Sequence, residues 1–250
     1  MNRYGFKGLR AVISGGTSGI GLKTAEYLLR DGAEVYILGR SRNKGELAAD
    51  YLRTATGRTA QYLQCDVQSY EQCRNVFKEI AENIDLLVAS AGIYAEERLE
   101  NLTEASYSNI FDTNVKGLMY FIQAGLGCLK DGSSIVTVAS DAGISGNYGC
   151  PVYCASKGAV VAFTKALALD LAPRTRVNCV CPADIDTPLL DKQLAACGSS
   201  YTKNEMAEVY PLGRIGRSEE VAHVICSVGS PLNSFMTGSI IAVDGGLTAK

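Results

Sequence analysis

The stretch Arg10-Ala-Val-Ile-Ser-Gly-Gly-Thr-Ser-Gly-Ile-Gly21 decides the fold of this 250-residue chain. Residues 10–14 read as a short buried strand, which runs into a glycine-rich turn and then a helix. Gly15, Gly19 and Gly21 permit a tight turn and a close approach to the backbone, and the helix N-terminus can bind a phosphate. The spacing is neither the usual G-x-G-x-x-G nor a P-loop. We interpret it as a dinucleotide-binding turn; an S-adenosylmethionine site and a purely structural turn are the alternatives.

Short apolar runs alternate with longer helical patterns along the rest of the chain. Further strands are predicted at 34–38, 59–64, 85–89, 134–138, 176–180 and 239–243. Helices are predicted at 21–30, 43–54, 70–82 and 105–129, and a further helix carries Tyr153 and runs to about Leu171. This alternation predicts a doubly wound, seven-stranded parallel sheet of Rossmann type with helices on both faces. Residues 1–250 are expected to form one domain. The stretch 189–211 fits no sheet element and is expected to form a flap of one or two short helices over the substrate.

Composition narrows the class of function. The formal charge of −2 gives no electrostatic reason to expect nucleic acid or an anionic membrane as a partner. No apolar run approaches the roughly 18 residues of a spanning helix, and no leader pattern precedes the first strand, so a cytoplasmic location is expected. The single His223 makes Ser-His-Asp chemistry improbable.

The nine cysteines are scattered, and none forms a Cys-x-x-Cys pattern. With one histidine in the chain, a zinc site is not expected. We interpret the cysteines as small reduced core residues. Cys150 and Cys154, which flank Tyr153, call for a test of thiol reactivity.

The second strand ends in Leu38-Gly-Arg-Ser-Arg42. In this architecture a carboxylate at that place would bind both ribose hydroxyls and repel a 2′-phosphate, and none occurs there. Arg40 offers a planar fork for phosphate and Ser41 a hydroxyl. We therefore predict NADP(H) as the preferred cofactor, with NAD(H) possible. The alternative interpretation is that Arg40 and Arg42 are ordinary solvated charges.

Tyr153 and Lys157 stand four residues apart in Pro151-Val-Tyr-Cys-Ala-Ser-Lys157, which places them on one helix face. An ammonium beside a phenol favours the phenolate, so we expect Lys157 to lower the pKa of Tyr153 towards working pH. By itself the spacing is also typical of a half-buried tyrosine beside a solvated lysine.

Together with the glycine turn, this pair makes the chain resemble the short-chain dehydrogenase/reductase family over nearly all its length. Cys65-Asp-Val67 is similar to the family's adenine segment, Asn114 matches its active-site asparagine, and Ser140 precedes Tyr153 by the family's usual thirteen residues. The family's Asn-Asn-Ala-Gly is here Ala89-Ser-Ala-Gly92, which leaves the support of that turn unassigned. The resemblance implies the catalytic residues Asn114, Ser140, Tyr153 and Lys157. It implies cofactor contacts at Gly15, Thr17, Ser18, Gly19, Ile20, Gly21, Arg40, Ser41, Asp66, Val67, Ala91, Gly92, Tyr153, Lys157, Pro182, Ile185 and Thr187.

The activity implied by the resemblance is hydride transfer between a nicotinamide and a carbonyl or secondary alcohol. Tyr153 would act as acid and base, Ser140 would hold the reacting oxygen, and Asn114 would anchor a water beside Lys157. The family's usual assembly is a homotetramer. A non-catalytic dinucleotide sensor of the same fold, and an NAD-preferring dehydrogenase, remain alternatives.

The substrate is predicted only as a class of small molecule. Ile144, Tyr148, Leu189, Leu190, Leu194 and Tyr210 suggest a partly apolar pocket, which fits a steroid or bile acid, another cyclic ketone, or a polyketide-like carbonyl. A 3-oxoacyl thioester on a carrier protein would be favoured by a basic patch, for which the flap offers Lys192, Lys203 and Arg214.

Overall fold

A seven-stranded parallel sheet forms the centre of the computed structural model, which describes residues 3–81, 83–196 and 202–249. The strands in chain order are β1 (Arg10–Ser14), β2 (Glu34–Gly39), β3 (Gln61–Gln64), β4 (Ile84–Ala89), β5 (Leu129–Val138), β6 (Thr175–Pro182), the two-residue strands β7 (Ile185–Asp186) and β8 (Gly216–Arg217), and β9 (Ile240–Val243). The sheet order is β3-β2-β1-β4-β5-β6-β9, while β7 pairs with β8 apart from it. The predicted doubly wound sheet is confirmed, and the crevice where the order reverses lies between β1 and β4.

Helices cover both faces of the sheet, as parallel strands require. They are α1 (Gly19–Asp31), α2 (Arg42–Thr56), α3 (Tyr70–Ile80), α4 (Glu104–Phe111), α5 (Leu118–Gly125), α6 (Pro151–Leu171), α7 (Pro188–Ala196), α8 (Lys203–Ala207) and α9 (Ser218–Gly229). Successive strand residues point to opposite faces, so Val12 joins the apolar cluster of Phe77 and Phe121. Ile13 joins the opposite cluster, which contains Leu28.

The single long helix expected at 105–129 is wrong. The segment divides into α4, a π-helical turn (Asp112–Gly117), α5, and a short 3-10 turn (Leu126–Cys128), after which β5 begins. Gly117 and Gly125 weaken helix propensity here, and their missing side chains admit Val67 and Phe77 from neighbouring elements. A π-turn inserts an extra residue and frequently marks a functional site. In this chain the turn carries Asn114.

The expectation that no apolar run approaches the length of a membrane-spanning helix is wrong for α6. Its 21 residues are long and apolar enough to cross a membrane by length and composition. However, it packs along β6 and buries Val152, Val160 and Ala168 in doing so. We therefore interpret its apolar character as that of a core helix.

Two predicted boundaries reach beyond the described residues. Helix α3 ends at Ile80, and Ala81 has a positive φ of 63°, while Glu82, the expected helix end, lies outside the described ranges. In the expected flap, α7 and α8 are the two short helices, and residues 197–201 lie outside the described ranges.

Candidate active site

The glycine turn between β1 and α1 leaves no room for side chains at two positions. Gly15 has a φ of 69°, and a Cβ atom there would lie 2.8 Å from the Ala91 backbone nitrogen. A Cβ atom at Gly21 would lie 2.3 Å from the Gly15 carbonyl oxygen. Because α1 begins at Gly19, its free N–H groups and positive end lie at the same turn. The turn therefore fits the diphosphate of a dinucleotide.

The turn contacts two other segments that were predicted to bind the cofactor. A Cβ atom at Gly39, the last residue of β2, would lie 2.7 Å from Cγ2 of Thr17. A Cβ atom at Gly19 would lie 3.3 Å from Cγ2 of Thr187. Ser18 is the N-cap residue of α1. These contacts bring together residues from the ends of β1, β2 and β7 that are far apart in sequence.

Other predicted cofactor residues contribute backbone or packing. Ile20 packs its side chain into the apolar cluster beneath the turn, so its backbone N–H is the group it offers a ligand. Pro182 ends β6, and buried Ile185 begins β7. This connection leads directly to Thr187.

The end of β2 presents a cation to the adenosine side of the crevice. The Arg40 side chain is exposed, and its backbone carbonyl accepts a hydrogen bond from Gln64 Nε2 at 2.9 Å. Ser41 caps α2 by accepting the Lys44 N–H at 3.4 Å, so its hydroxyl already serves the helix. Arg42 forms an ion pair with Glu46 at 2.9 Å. Arg40 is thus the better placed of the two arginines to bind a phosphate.

Asp66 and Val67 follow β3, beside the end of β2. Oδ1 of Asp66 accepts the Gln68 N–H at 3.0 Å, and the Asp66 N–H donates to Gln72 Oε1 at 2.9 Å. These bonds hold the partly buried carboxylate in place. Val67 is buried against Gly117 in the π-turn. The geometry is compatible with the predicted adenine contact.

Ser14 and Asn114 support the turn after β4, whose support the sequence left unassigned. The Ser14 hydroxyl accepts the Ala91 N–H at 3.4 Å. The Asn114 side chain accepts the Ile93 N–H at 2.8 Å and donates to the Ile93 carbonyl at 3.0 Å. Asn114 therefore clamps the chain just after Gly92, and a Cβ atom at Gly92 would lie 3.3 Å from Asn114 Oδ1 and 3.4 Å from Lys157 Nζ.

Ser140, Tyr153 and Lys157 converge at the carboxyl end of β5. Ser140 follows this strand, and Tyr153 and Lys157 lie one turn apart on α6. The Ser140 hydroxyl is within hydrogen-bonding reach of the Tyr153 phenol and lowers its pKa. Lys157 Nζ donates to the Val138 carbonyl at 3.3 Å and lies 5.7 Å from the centre of the Tyr153 ring. All three side chains are buried.

Burial dominates the electrostatics of this group. It raises the pKa of Tyr153, and the charges of Asp141 and Asp184 act in the same direction. Burial also lowers the pKa of Lys157 to about 8. The expected lowering of the Tyr153 pKa by Lys157 is therefore wrong for this geometry, because desolvation of the phenolate outweighs the help of an ammonium that is itself desolvated.

Two carboxylates near Tyr153 were missed by sequence reasoning. Ser140 Oγ donates to Asp141 Oδ1 at 2.7 Å, and Asn147 Nδ2 donates to Asp141 Oδ2 at 3.3 Å. Tyr210 donates its hydroxyl to Asp184 Oδ2 at 2.6 Å, and burial raises the pKa of Asp184. The position of Asp141 directly after Ser140 was the available sequence signal for the first contact.

The expected pocket residues differ in exposure. Ile144, Tyr148 and Leu189 are exposed and can meet a substrate. Leu194 is partly buried, Leu190 and Tyr210 are buried, and Tyr210 lines a small cavity together with Asp184 and Gly245. The Tyr210 hydroxyl is engaged by Asp184, which makes it part of the wall's support.

The histidine and the acidic side chains suggest no second chemistry in the described part of the chain. His223 packs against Tyr27 with ring centres 4.4 Å apart, on the helix α9. Within residues 3–81, 83–196 and 202–249, no group of three or more His, Cys, Asp or Glu side chains could hold a metal ion.

Comparison with known proteins gives consistent matches over nearly the full chain. A family model described as enoyl-(acyl carrier protein) reductase matches residues 15–248. A 3-oxoacyl-[acyl-carrier-protein] reductase of Chlamydia pneumoniae is 33% identical, with 96% of this chain and 97% of the relative covered. An NADP-dependent (R)-specific alcohol dehydrogenase of Lentilactobacillus kefiri is 33% identical, with 98% of each chain covered. The crystal structure of a short-chain dehydrogenase/reductase described as glucose/ribitol dehydrogenase, from Brucella melitensis, superposes with a TM-score of 0.89 at 34% identity and covers 98% of each chain.

Proposed function

Because this chain belongs to the short-chain dehydrogenase/reductase family, we propose that it is an NADP(H)-dependent enzyme that interconverts a ketone and a secondary alcohol. The observation that carries this proposal is the convergence of Ser140, Tyr153 and Lys157 beside the turn at Gly15. Gly92 connects the cofactor crevice with the catalytic residues, because it lies against both Asn114 and Lys157.

The residues divide the proton chemistry between them. Tyr153 gives its phenolic proton to the carbonyl oxygen in reduction, and its raised pKa keeps that proton in place at neutral pH. Ser140 would turn its hydroxyl proton from Asp141 Oδ1 to the same oxygen as negative charge develops on it. Asn114 holds the backbone of Ile93, directly after Gly92, and Lys157 also lies against Gly92. The bound nicotinamide would supply or accept the hydride.

The preference for NADP(H) over NAD(H) is supported by the end of β2. Arg40 is exposed there, and the segment from Gly39 to Arg42 carries no carboxylate. The relative from Lentilactobacillus kefiri is named NADP-dependent. The test is kcat/KM for both reduced cofactors with one ketone; a higher value with NADH would contradict the preference.

The charges of the flap favour a free steroid or other cyclic ketone, or the matching alcohol, over a substrate bound to a carrier protein. Carrier-protein binding would require a basic patch at the entrance. Lys203, however, forms ion pairs with Asp186 at 2.6 Å and Asp191 at 2.7 Å. Arg214 forms one with Glu220 at 2.6 Å. These partners neutralise two of the three cations that the sequence offered.

A 3-oxoacyl thioester is the second candidate, because the relative from Chlamydia pneumoniae is named as a reductase of such a substrate. A direct test gives the enzyme NADPH with a panel of cyclic and steroid ketones, and in parallel with a 3-oxoacyl thioester on carrier protein. Higher kcat/KM for the free ketones supports our assignment. Higher kcat/KM for the carrier-bound thioester would replace it.

The same panel distinguishes an enzyme from a dinucleotide sensor. An enzyme consumes NADPH with at least one ketone, or reduces NADP with the matching alcohol. Tight NADPH binding without turnover of any panel member would favour the sensor.

We also propose that the chain functions as one domain, in which residues 189–211 form a flap over the substrate. We further propose that the protein is located in the cytoplasm and assembles as a homotetramer. The tetramer is supported by family analogy and by a groove of about 300 Å³ on α4 and α5, lined by Tyr107, Phe111 and Met119 among others. Gel filtration with light scattering tests the assembly, and a monomer at micromolar concentration would contradict it.

A further inference from the structure

Cys150 and Cys154 place two thiols next to Tyr153. Their Sγ atoms lie 3.9 Å apart, with Cys150 as the N-cap residue of α6 and Cys154 one turn further along. Cys150 is buried, with 2% of its surface exposed, whereas Cys154 is partly exposed. The pair therefore combines one thiol that solvent can reach with one that lies directly behind it.

The surroundings favour attack by Cys154 and resolution by Cys150. The Asn147 N–H donates to Cys154 Sγ at 3.4 Å, and the positive N-terminal end of α6 lies at the same place. Cys154 Sγ also lies 3.9 Å from the Asn147 carbonyl oxygen. Its partial exposure makes Cys154 the sulfur that a peroxide can reach first. Burial, followed by the neighbouring Cys154, raises the pKa of the Cys150 thiol to about 12. Cys150 thus keeps its proton until a second step requires it.

We propose that Cys150 and Cys154 form a reversible oxidation site that responds to hydroperoxides. The Cys154 thiolate attacks the terminal peroxide oxygen; an S–O bond forms and the O–O bond breaks. The other oxygen leaves after protonation, as water from hydrogen peroxide or as an alcohol from an organic hydroperoxide. The Cys150 thiol then attacks the sulfur of this sulfenic acid. An S–S bond forms, the S–O bond breaks, and water leaves. The two thiols lose two electrons in total, and the peroxide gains them.

Closing this disulfide disturbs the first turn of α6. A disulfide needs a sulfur separation of about 2.05 Å, so the two side chains and the turn between them must shift from 3.9 Å. Tyr153 lies inside that turn. Cys150 shares a small apolar cluster with Tyr153 and Tyr94, and the Tyr94 ring packs edge-on against Tyr153 with centres 4.8 Å apart. Oxidation therefore moves the phenol and one of its packing partners.

Two other cysteine pairs provide controls within the same chain. Cys65 and Cys73 lie with sulfurs 3.8 Å apart, and Cys179 and Cys181 with sulfurs 3.7 Å apart, but all four side chains are buried. Hydrogen bonding from Cys181 lowers the pKa of Cys179 to about 7, so thiolate content alone would favour oxidation there. Our proposal depends on access, and it predicts that both buried pairs stay reduced.

The sequence permits a direct measurement, because trypsin places each pair in its own peptide. The peptide 131–157 contains the proposed site, 59–74 the first buried pair and 177–192 the second. The full-length protein is treated with increasing concentrations of hydrogen peroxide, denatured, alkylated and digested with trypsin, and the peptide masses are measured by mass spectrometry. We expect 131–157 to lose two hydrogens and resist alkylation before the other two peptides change. Earlier oxidation of 59–74 or 177–192, or overoxidation of 131–157 without a disulfide, would overturn the proposal.

Turnover provides the second readout, and this part rests on the proposed function. We expect kcat to fall about tenfold or more as the disulfide forms, because displacement of a catalytic group by about 1 Å can cost about a hundredfold. Dithiothreitol should restore it. Cys154→Ser should keep its activity and resist peroxide, whereas the control Cys226→Ser, on α9, should remain sensitive. Full activity of the oxidised wild-type protein would remove the regulatory role.

The two readouts separate failure of this inference from failure of the proposed function. If the protein turns over no carbonyl or alcohol, the mass measurement still tests the dithiol site. If turnover is present and the peptide 131–157 remains a dithiol at peroxide levels that inactivate the enzyme, the proposed function stands and the oxidation site is excluded.

Discussion

Ser140 Oγ donates a hydrogen bond to Asp141 Oδ1 at 2.7 Å, and both side chains are buried at the end of β5. Asp141 thus holds the hydroxyl proton that Ser140 is proposed to turn towards the reacting oxygen. Asn147 holds the other carboxylate oxygen at 3.3 Å. The arrangement makes Asp141 a positioning residue for Ser140, and its charge also raises the pKa of Tyr153.

We predict that Asp141→Ala lowers kcat/KM about tenfold, since losing one oriented hydrogen bond costs about 1.4 kcal/mol. Asp141→Asn keeps an acceptor for Ser140 but removes the charge. It should retain most of kcat and move the rise of alcohol oxidation with pH to lower pH, because the phenolate forms more easily. Asp184→Asn is the matched control, because Asp184 also raises the Tyr153 pKa without a hydrogen bond to Ser140. Equal loss of kcat in Asp141→Asn and Asp141→Ala would contradict a positioning role.

Tyr153→Phe should lower kcat by about 10²- to 10⁴-fold, the range of general acid–base catalysis, because the phenolic proton is lost. The ring remains, so the Kd for NADPH, measured by fluorescence titration, should stay unchanged. Tyr94→Phe serves as the control, because it keeps the edge-on ring contact with Tyr153 and should retain most activity. A Tyr153→Phe enzyme with wild-type turnover would remove Tyr153 from the mechanism.

Arg40→Ala should raise the KM for NADPH by about 10- to 100-fold, because hydrogen bonds to a charged group contribute about 1.5–3 kcal/mol. The KM for NADH should not change. Arg42→Ala is the control, since Arg42 already pairs with Glu46 on the exposed side of α2. An equal rise in KM for both cofactors would show that Arg40 does not read the 2′-phosphate.

Lys157 should make the stability of the folded protein depend on pH in the alkaline range. Its folded pKa is about 8, against about 10.4 in an unfolded chain. Between these values the unfolded state binds the extra proton, so the Lys157 contribution to the free energy of unfolding rises with pH. Below pH 8 the full cost of burying the charge is present, on the order of 3 kcal/mol.

Comparison with Lys157→Met removes the titration of Lys157 and its effect on the two adjacent thiols, Cys179 and Cys181, while the distant titrating groups are shared. Urea unfolding from pH 7.5 to 10 should show the wild type gaining stability relative to the variant. A difference that stays constant over this range would mean that Lys157 titrates normally. Distant groups whose pKa is raised by burial, such as Tyr210 and Cys226, oppose the trend in both proteins alike and cancel in the difference. The charge of Lys157 lowers the pKa values of Cys179 and Cys181, so these two thiols change together with it.

Local sequence determined much of the architecture. Most strands of the sheet are short apolar runs between turn residues, and β1 occupies residues 10–14 as predicted. The exceptions are β3, which is half polar, and β5, whose first residues are exposed and precede the predicted start at 134. Parallel pairing follows from the alternation of strands and helices, since each crossover needs a helix between parallel strands. The prediction of one long helix at 105–129 was wrong, because the helical periodicity of the sequence continues through the π-turn and the glycines at 117 and 125. Only packing against Val67 and Phe77 shows where the regular helix stops.

The sequence by itself determined which residues we propose for the site, through its turn glycines, the one-turn spacing of Tyr153 and Lys157, and its resemblance to a known family. The tertiary structure decided their electrostatics and their partners. Burial raises the pKa of Tyr153 and lowers that of Lys157, which reverses the expectation from their spacing alone. Asn114 clamps Ile93 from a distant helix, and Asp184 comes close enough to act on Tyr153. Desolvation and long-range contacts depend on everything that surrounds a group, and a linear sequence contains no direct record of those surroundings.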